Sequence, residues 1–263
     1  MNLELRDRVA LVAASSKGLG KAVAVALARE GVHLALCART SEPLKKTAEE
    51  IVSLTGVKVF TLPTDVRDPG QVERLVSQAA SRLGPIDILV TNAGGPPFGQ
   101  FLDHPPEAWE EALRLNLLST IRLSREVVPS MKERRWGRII NITSYSVKQP
   151  AQGLILSNTA RSGVIGFAKT LATELAPYNV LVNSLCPGVF LTERHYELSR
   201  ARAERMGIPL EVHMKERVQE IPMKRGGKPE ELADLVVFLA SERASYITGA
   251  TIQIDGGLIN TLL

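Results

Sequence analysis

The stretch Val9-Ala10-Leu11-Val12-Ala13-Ala14-Ser15-Ser16-Lys17-Gly18-Leu19-Gly20 decides the fold. Its five opening apolar residues read as a buried strand, and a helix is expected to follow over 18–30. Glycines between the two let the backbone come close to a pyrophosphate, whose charge a helix N-terminus can hold. Gly-x-Gly before a helix also serves ordinary packing. Its place on the first strand–helix junction is what gives the motif weight.

The same rhythm runs outward through the whole chain. Strands are expected at 33–38, 57–62, 87–91, 138–142, 180–185 and 251–254. Helices are expected at 41–54, 69–83, 107–134, 154–175 and 229–240. Seven short β-branched runs alternating with amphipathic stretches imply a parallel sheet covered on both faces. One segment, 193–220, breaks the rhythm: it is charged, helix-prone and carries Gly207-Ile208-Pro209 in its middle. An insertion between a strand end and the next core helix suits a substrate lid.

Bulk properties exclude several classes. A chain of 263 residues, 44% hydrophobic, buries a substantial core, and no linker or repeat divides it. There is no run of about 18 apolar residues, so no membrane span is expected. The charged start, Met1 to Arg8, lacks the apolar heart of a signal peptide, which points to the cytoplasm. Cys37 and Cys186 lie in apolar strands and read as buried thiols, with neither a metal set nor a disulfide framework. The net charge of +4 is dispersed among acids, as in Glu133-Arg134-Arg135, which argues against nucleic acid.

Further marks sit at the ends of expected strands: Asp65-Val66, Asn92-Ala93-Gly94, Pro187-Gly188-Val189 with Thr192, and Ile254-Asp255-Gly256-Gly257. With the first loop they resemble the short-chain dehydrogenase/reductase family, and within it the 3-oxoacyl-acyl carrier protein reductases. Ala13 and Ala14 stand at the first two positions of that family's Thr-Gly-x-x-x-Gly-x-Gly pattern. We expect Ala14 to keep an ordinary negative φ, because a Cβ disfavours the left-handed region. The resemblance implies one doubly wound Rossmann-type α/β domain with strand order 3-2-1-4-5-6-7. It places a nicotinamide cofactor on Ser15, Ser16, Lys17, Gly18, Leu19, Gly20, Asp65, Val66, Asn92, Ala93, Gly94, Arg161, Pro187, Gly188, Val189 and Thr192. Strand two ends Cys37-Ala38-Arg39-Thr40, with no acid to bind a free ribose 2′-hydroxyl. Arg39, aided by Lys17, suits a 2′-phosphate instead, so NADP(H) is expected over NAD(H).

The family's carbonyl chemistry uses an Asn-Ser-Tyr-Lys set. Asn116 and Ser144 match its first two members. Thirteen residues after Ser144, at the tyrosine's place, this chain has Ser157; four further on, at the lysine's, it has Arg161. An alkyl hydroxyl is several units more basic than a phenol of pKa about 10, so Ser157 donates a hydrogen bond but is a poor acid. Arg161 keeps the charge without shuttling protons. Tyr145, next to Ser144, either turns toward the nicotinamide and supplies the proton, or packs against the lid or solvent. His195 and His213 fall in the lid; a lid histidine either donates a proton when the lid closes or, as expected here, stays at the surface.

These readings imply an NADP-dependent oxidoreductase interconverting a carbonyl and a secondary alcohol, with a 3-oxoacyl thioester as one candidate substrate. The rival is a cofactor-binding regulatory or structural subunit with little chemistry. By resemblance the protein assembles as a homo-oligomer, a tetramer or dimer, through helices at 107–134 and 152–176 and the last strand.

Overall fold

The computed structural model describes residues 2–262. Its seven strands are β1 (Val9–Ala13), β2 (His33–Ala38), β3 (Val59–Pro63), β4 (Ile88–Thr91), β5 (Gly137–Ile142), β6 (Val180–Pro187) and β7 (Thr251–Ile254). They form one parallel sheet in the order 3-2-1-4-5-6-7, as expected. The helices are α1 (Gly18–Arg29), α2 (Ser41–Thr55), α3 (Pro69–Leu83), α4 (Pro106–Ala112), α5 (Ser119–Arg134), α6 (Ile155–Leu175), α7 (Glu193–Met206), α8 (Leu210–Gln219) and α9 (Pro229–Ala240).

Side-chain alternation in β1 explains the two layers. Ala10 and Val12 join one core with Val23 and Leu27 of α1, Leu44 of α2 and Val236 of α9. Leu11 and Ala13 join the opposite core with Leu75 of α3, Leu123 of α5 and Ala168 of α6. Each buried Val or Leu contributes about 1.5–3 kcal/mol. A strand apolar on both faces is therefore stable only with helices on both sides. β1 pairs with β2 on one edge, Val9 opposite His33, and with β4 on the other, Ala10 opposite Ile88. The connections leave β1 in opposite directions, which opens a crevice at the strands' carboxyl ends.

Three local features depart from expectation. The helix expected over 107–134 is interrupted: between α4 and α5, Leu113–Leu118 winds as a wider π turn. Ser119 Oγ donates to Leu115 O at 2.5 Å and Thr120 Oγ1 to Asn116 O at 3.2 Å, so hydroxyls back-bond to the carbonyls of that turn. β3 starts later than 57, and β6 extends two residues beyond 185. The segment 193–220 folds as α7 and α8, joined through Gly207 at φ 67°.

Ala14 is the clearest correction. Its φ is +50°, in the left-handed region it was expected to avoid. The reason lies across the turn, where α1 packs against the Ala14 carbonyl. A Cβ on Gly20 would fall 2.3 Å from Ala14 O, so the two backbones are pressed together and the turn has no room to unwind. The left-handed region costs an L-residue about 1–2 kcal/mol, and glycine's extra unfolded-state freedom costs about 0.4–1. Ala14→Gly is accordingly expected to stabilise the protein by about 0.5–1 kcal/mol. Thermal unfolding checks this: the midpoint should rise by a few degrees, and an unchanged or lower midpoint would refute the strain.

Candidate active site

The crevice is a cavity of about 570 Å³ at the carboxyl ends of the strands, roofed by α7 and α8. At one end Ser16, Lys17, Gly18 and Leu19 line it, with Gly18 at φ +58°. No side chain caps the N-terminus of α1 there, so its first amides are free for an anion. Ser15 and Gly20 sit behind this lining. Ser15 is fully buried and donates to Cys37 O at 3.3 Å, while Gly20 backs against Ala14. Arg39 and Thr40 form an exposed wall at the end of β2. Beyond them lie Asp65 and Val66. The Arg67 guanidinium grips the Asp65 carboxylate at 2.5 and 3.0 Å and holds it below the usual carboxylate range. Asn92, Ala93 and Gly94 at the end of β4 complete this half, with Pro187, Gly188, Val189 and Thr192 after β6.

The chemical half lies on the loop after β5 and the first turns of α6, where Ser144, Tyr145, Ser157 and Arg161 all line the cavity. Ser157 and Arg161 are four residues apart, which stacks them on one face of α6. Arg161 Nε donates to Ser157 Oγ at 3.2 Å. Its Nη1 donates to the carbonyls of Ile142 and Thr143 at 3.2 and 3.1 Å, and Nη2 to that of Ala93 at 3.3 Å. Burial pushes this guanidinium down to about 10, and Arg194 adds repulsion. It remains a cation at neutral pH. Ser157 Oγ accepts from it, which leaves the Ser157 hydroxyl proton free for the cavity. Ser144 Oγ accepts from the Ser146 amide at 3.2 Å, so its own proton is free as well.

Tyr145 lines the cavity and is in contact with α8. Arg217 Nη2 donates to the Tyr145 hydroxyl at 2.9 Å. Asn116 lies behind the lining in the π turn, donating to Gly94 O at 3.0 Å. Its Oδ1 is buried without a partner, an acceptor directed at no group of the protein itself.

This geometry has close counterparts among known proteins. The family profile described as enoyl-(acyl carrier protein) reductase matches residues 13–259. The 3-oxoacyl-[acyl-carrier-protein] reductase FabG of Aquifex aeolicus is 37% identical over 98% of this chain and 100% of its own. Dehydrogenase/reductase SDR family member 4 of Sus scrofa is 36% identical over 98% of this chain and 89% of its own. The chain belongs to the short-chain dehydrogenase/reductase family. Among solved structures of that family, L-sorbose reductase from Gluconobacter frateurii, complexed with NADPH and L-sorbose, superposes with a TM-score of 0.94. It is 34% identical, with both chains covered in full.

Several residues of this short-chain dehydrogenase/reductase lie where the sequence did not place them. Lys17 is taken up by Glu193 in the first turn of α7, with N and O 2.5 Å apart. Lys17 in this exposed pair still lines the cavity, and Arg39 stands exposed at the same end. His195 and His213 were expected at the surface, but α7 and α8 fold onto each other and over the cavity. His213 is 6% exposed, and His195 lines the cavity with Nε2 buried and unpartnered. Burial, then Arg217 and Arg202, push His195 down to about 4, so it is neutral at pH 7. Arg194, Arg202 and Arg217 also line the cavity and were not anticipated. Their signal was present as i, i+4 spacing, since Arg194, Leu198 and Arg202 share one face of α7. Both cysteines are buried and free, with burial raising Cys37 to about 12. No helix among the described residues is long and apolar enough to cross a membrane.

Arg161→Lys isolates the role of the guanidinium fork. Lysine keeps the charge but lacks the planar donors that serve three carbonyls and a hydroxyl at once. Hydrogen bonds to charged groups contribute about 1.5–3 kcal/mol each, so a net loss of about 2–4 kcal/mol is expected. Urea unfolding should show a lower midpoint at constant slope, whereas an unchanged midpoint would mean the fork holds nothing.

Proposed function

We propose that this protein is an NADP(H)-dependent carbonyl reductase in which the oxyanion-stabilising donor and the proton donor are separate residues. At the serine–tyrosine–lysine positions of the family pattern it reads Ser144, Ser157 and Arg161. The free amides of α1 and Ser16 would hold the pyrophosphate, Arg39 the ribose phosphate, Asp65 and Val66 the adenine side, and Thr192 with Pro187–Val189 the nicotinamide side. When bound, the nicotinamide supplies hydride to a carbonyl carbon.

The chain's own part is the charge and the proton. Ser157, backed by the Arg161 cation, offers a hydroxyl hydrogen bond to the carbonyl oxygen, and Ser144 offers a second. Such donors stabilise charge that develops in a poorly solvated site. Neither hydroxyl is acidic enough to give up its proton readily, and His195 is already neutral at pH 7. One observation carries the proton assignment. Tyr145 lines the cavity and its hydroxyl accepts from Arg217, so the phenol has a proton still to donate. Arg217 would offset the charge left behind. NADP(H) is supported by the open Arg39, by the missing acid at the end of β2, and by the NADPH complex of L-sorbose reductase. The thioester substrate class is supported by the FabG relative alone.

Two measurements test this reading. NADPH fluorescence titration should show binding, and Arg39→Gln should weaken it by about 10–100-fold while leaving NADH unchanged, as expected for a charge-assisted phosphate contact. Equal loss for both nucleotides would refute the phosphate role. Turnover should then be assayed over ketones and 3-oxoacyl thioesters. Tyr145→Phe is expected to lower kcat by about 10²–10⁴ with NADPH affinity intact. Undiminished turnover would remove Tyr145 from the chemistry. Nucleotide binding with no turnover of any carbonyl by the unmodified protein would favour the regulatory-subunit reading.

A further inference from the structure

The roof of the cavity brings three guanidiniums to its chemical end. Two of them have partners on the outer rim. Arg194 reaches Glu197 at 3.3 Å and donates to Pro96 O at 2.7 Å, while Arg217 pairs with Glu220 and Tyr145. Arg202 has no carboxylate within 4.0 Å among the described residues; its charge lies 5.5 Å from the Phe98 ring centroid. Arg217 is only 16% exposed, and its Nε is buried without a partner.

The carboxylates that line the cavity do not answer these charges. Asp65 is gripped by Arg67 at the adenine end, and Glu193 is held by Lys17. His195 lines the cavity beside the arginines; burial chiefly, and then the charges of Arg217 and Arg202, lower its affinity for a proton. Like charges gathered in a partly desolvated site are unfavourable unless a ligand compensates them. The Arg217 contact places this end of the roof beside Tyr145, one residue from Ser144, whereas the amides left open for the cofactor's phosphates are those of α1.

Building on the carbonyl-reductase reading, we propose that the substrate carries a compact oxyanion, a carboxylate or a phosphate, a short chain from its carbonyl, and that Arg202 with Arg217 binds it. Arg202 supplies the free charge and a planar pair of donors. Arg217 adds its charge beside it while its Nη2 keeps hold of Tyr145. Anchoring the anion there would set the carbonyl between Tyr145 and Ser157, so these arginines determine specificity.

Equilibrium binding tests this without relying on turnover. Pyruvate, acetoacetate and levulinate, each against its methyl ester, are titrated calorimetrically into protein saturated with NADP⁺. Dihydroxyacetone phosphate against dihydroxyacetone forms the phosphate arm. In at least one pair the anion should bind tenfold or more tightly than its neutral partner, and the arm that responds tells carboxylate from phosphate. Arg202→Gln should close that gap while leaving the neutral ligand and NADPH unchanged, and Arg202→Lys should retain part of it. Equal affinity within every pair, or a gap that persists in both Arg202→Gln and Arg217→Gln, would overturn the proposal. Failure to bind NADPH would overturn the cofactor reading separately. The same pairs titrated into the nucleotide-free protein would then decide the anion site by the same criterion.

Discussion

Strand ends are the constraint on which this molecule turns. A parallel sheet satisfies its backbone groups only along the ladder, and at the carboxyl edge the carbonyls run out of partners. Buried carbonyls without a donor are expensive, so something else must serve them. Here Arg161 does so, reaching from α6 to Ile142 and Thr143 after β5 and to Ala93 after β4. Thr143 in turn sends its amide and its hydroxyl to the Leu185 carbonyl of β6, at 2.8 and 2.7 Å. Three neighbouring strand ends and one helix are thereby fixed together. The loop carrying Ser144 and Tyr145 starts from this knot, and so does the Asn92–Gly94 turn.

Where no side chain completes the backbone, the edge is open to a ligand. The amides of α1 are the plain case, and the buried Asn116 Oδ1 is another. The first borders the cavity and the second lies just behind its lining, and both follow from geometry that glycine or an irregular turn permits. Gly20 lets α1 approach Ala14, while the π turn swings Asn116 inward under Gly94. Widened turns of this kind displace one side chain from the regular helical spiral, which explains their association with functional sites. Binding capacity in this fold is backbone left unfinished in chosen places.

Sequence patterning made the strands legible because each residue of β1 serves one of two cores, and a run apolar on both faces has few other uses. Gly18, Asn92 and Pro187 were legible for a related reason: only certain residues suit loops at strand ends. The misreadings share a different origin. Nothing local to Ala14 demands a positive φ; the demand comes from α1 packing on its carbonyl. His195 and His213 look like surface residues on charged helices; the packing of α7 and α8 over the cavity leaves His195 half-buried and His213 buried. Arg202 was hidden by its charged neighbours, though its spacing from Arg194 and Leu198 marked a single face.

The division of labour proposed for the site has a dynamic consequence. In a single tyrosine–lysine pair on one helix, proton and positive charge are held together whatever covers them. Here the charge belongs to α6, through Arg161, while the phenol is steadied from the roof, through Arg217. The roof is itself pinned by few contacts to the body, among them Arg194 to Pro96 O and Arg205 to Asp103 at 2.6 Å. An exposed ion pair such as Arg205–Asp103 contributes about 0–1 kcal/mol, so on the proposed reading the helices would lift to admit substrate. When they lift, Tyr145 would lose the Arg217 cation that offsets the charge left on its oxygen. When they close on a bound anion, the proton donor, the cationic grip and the exclusion of water arrive together. A reductase built this way would be competent only with its roof down over the right substrate.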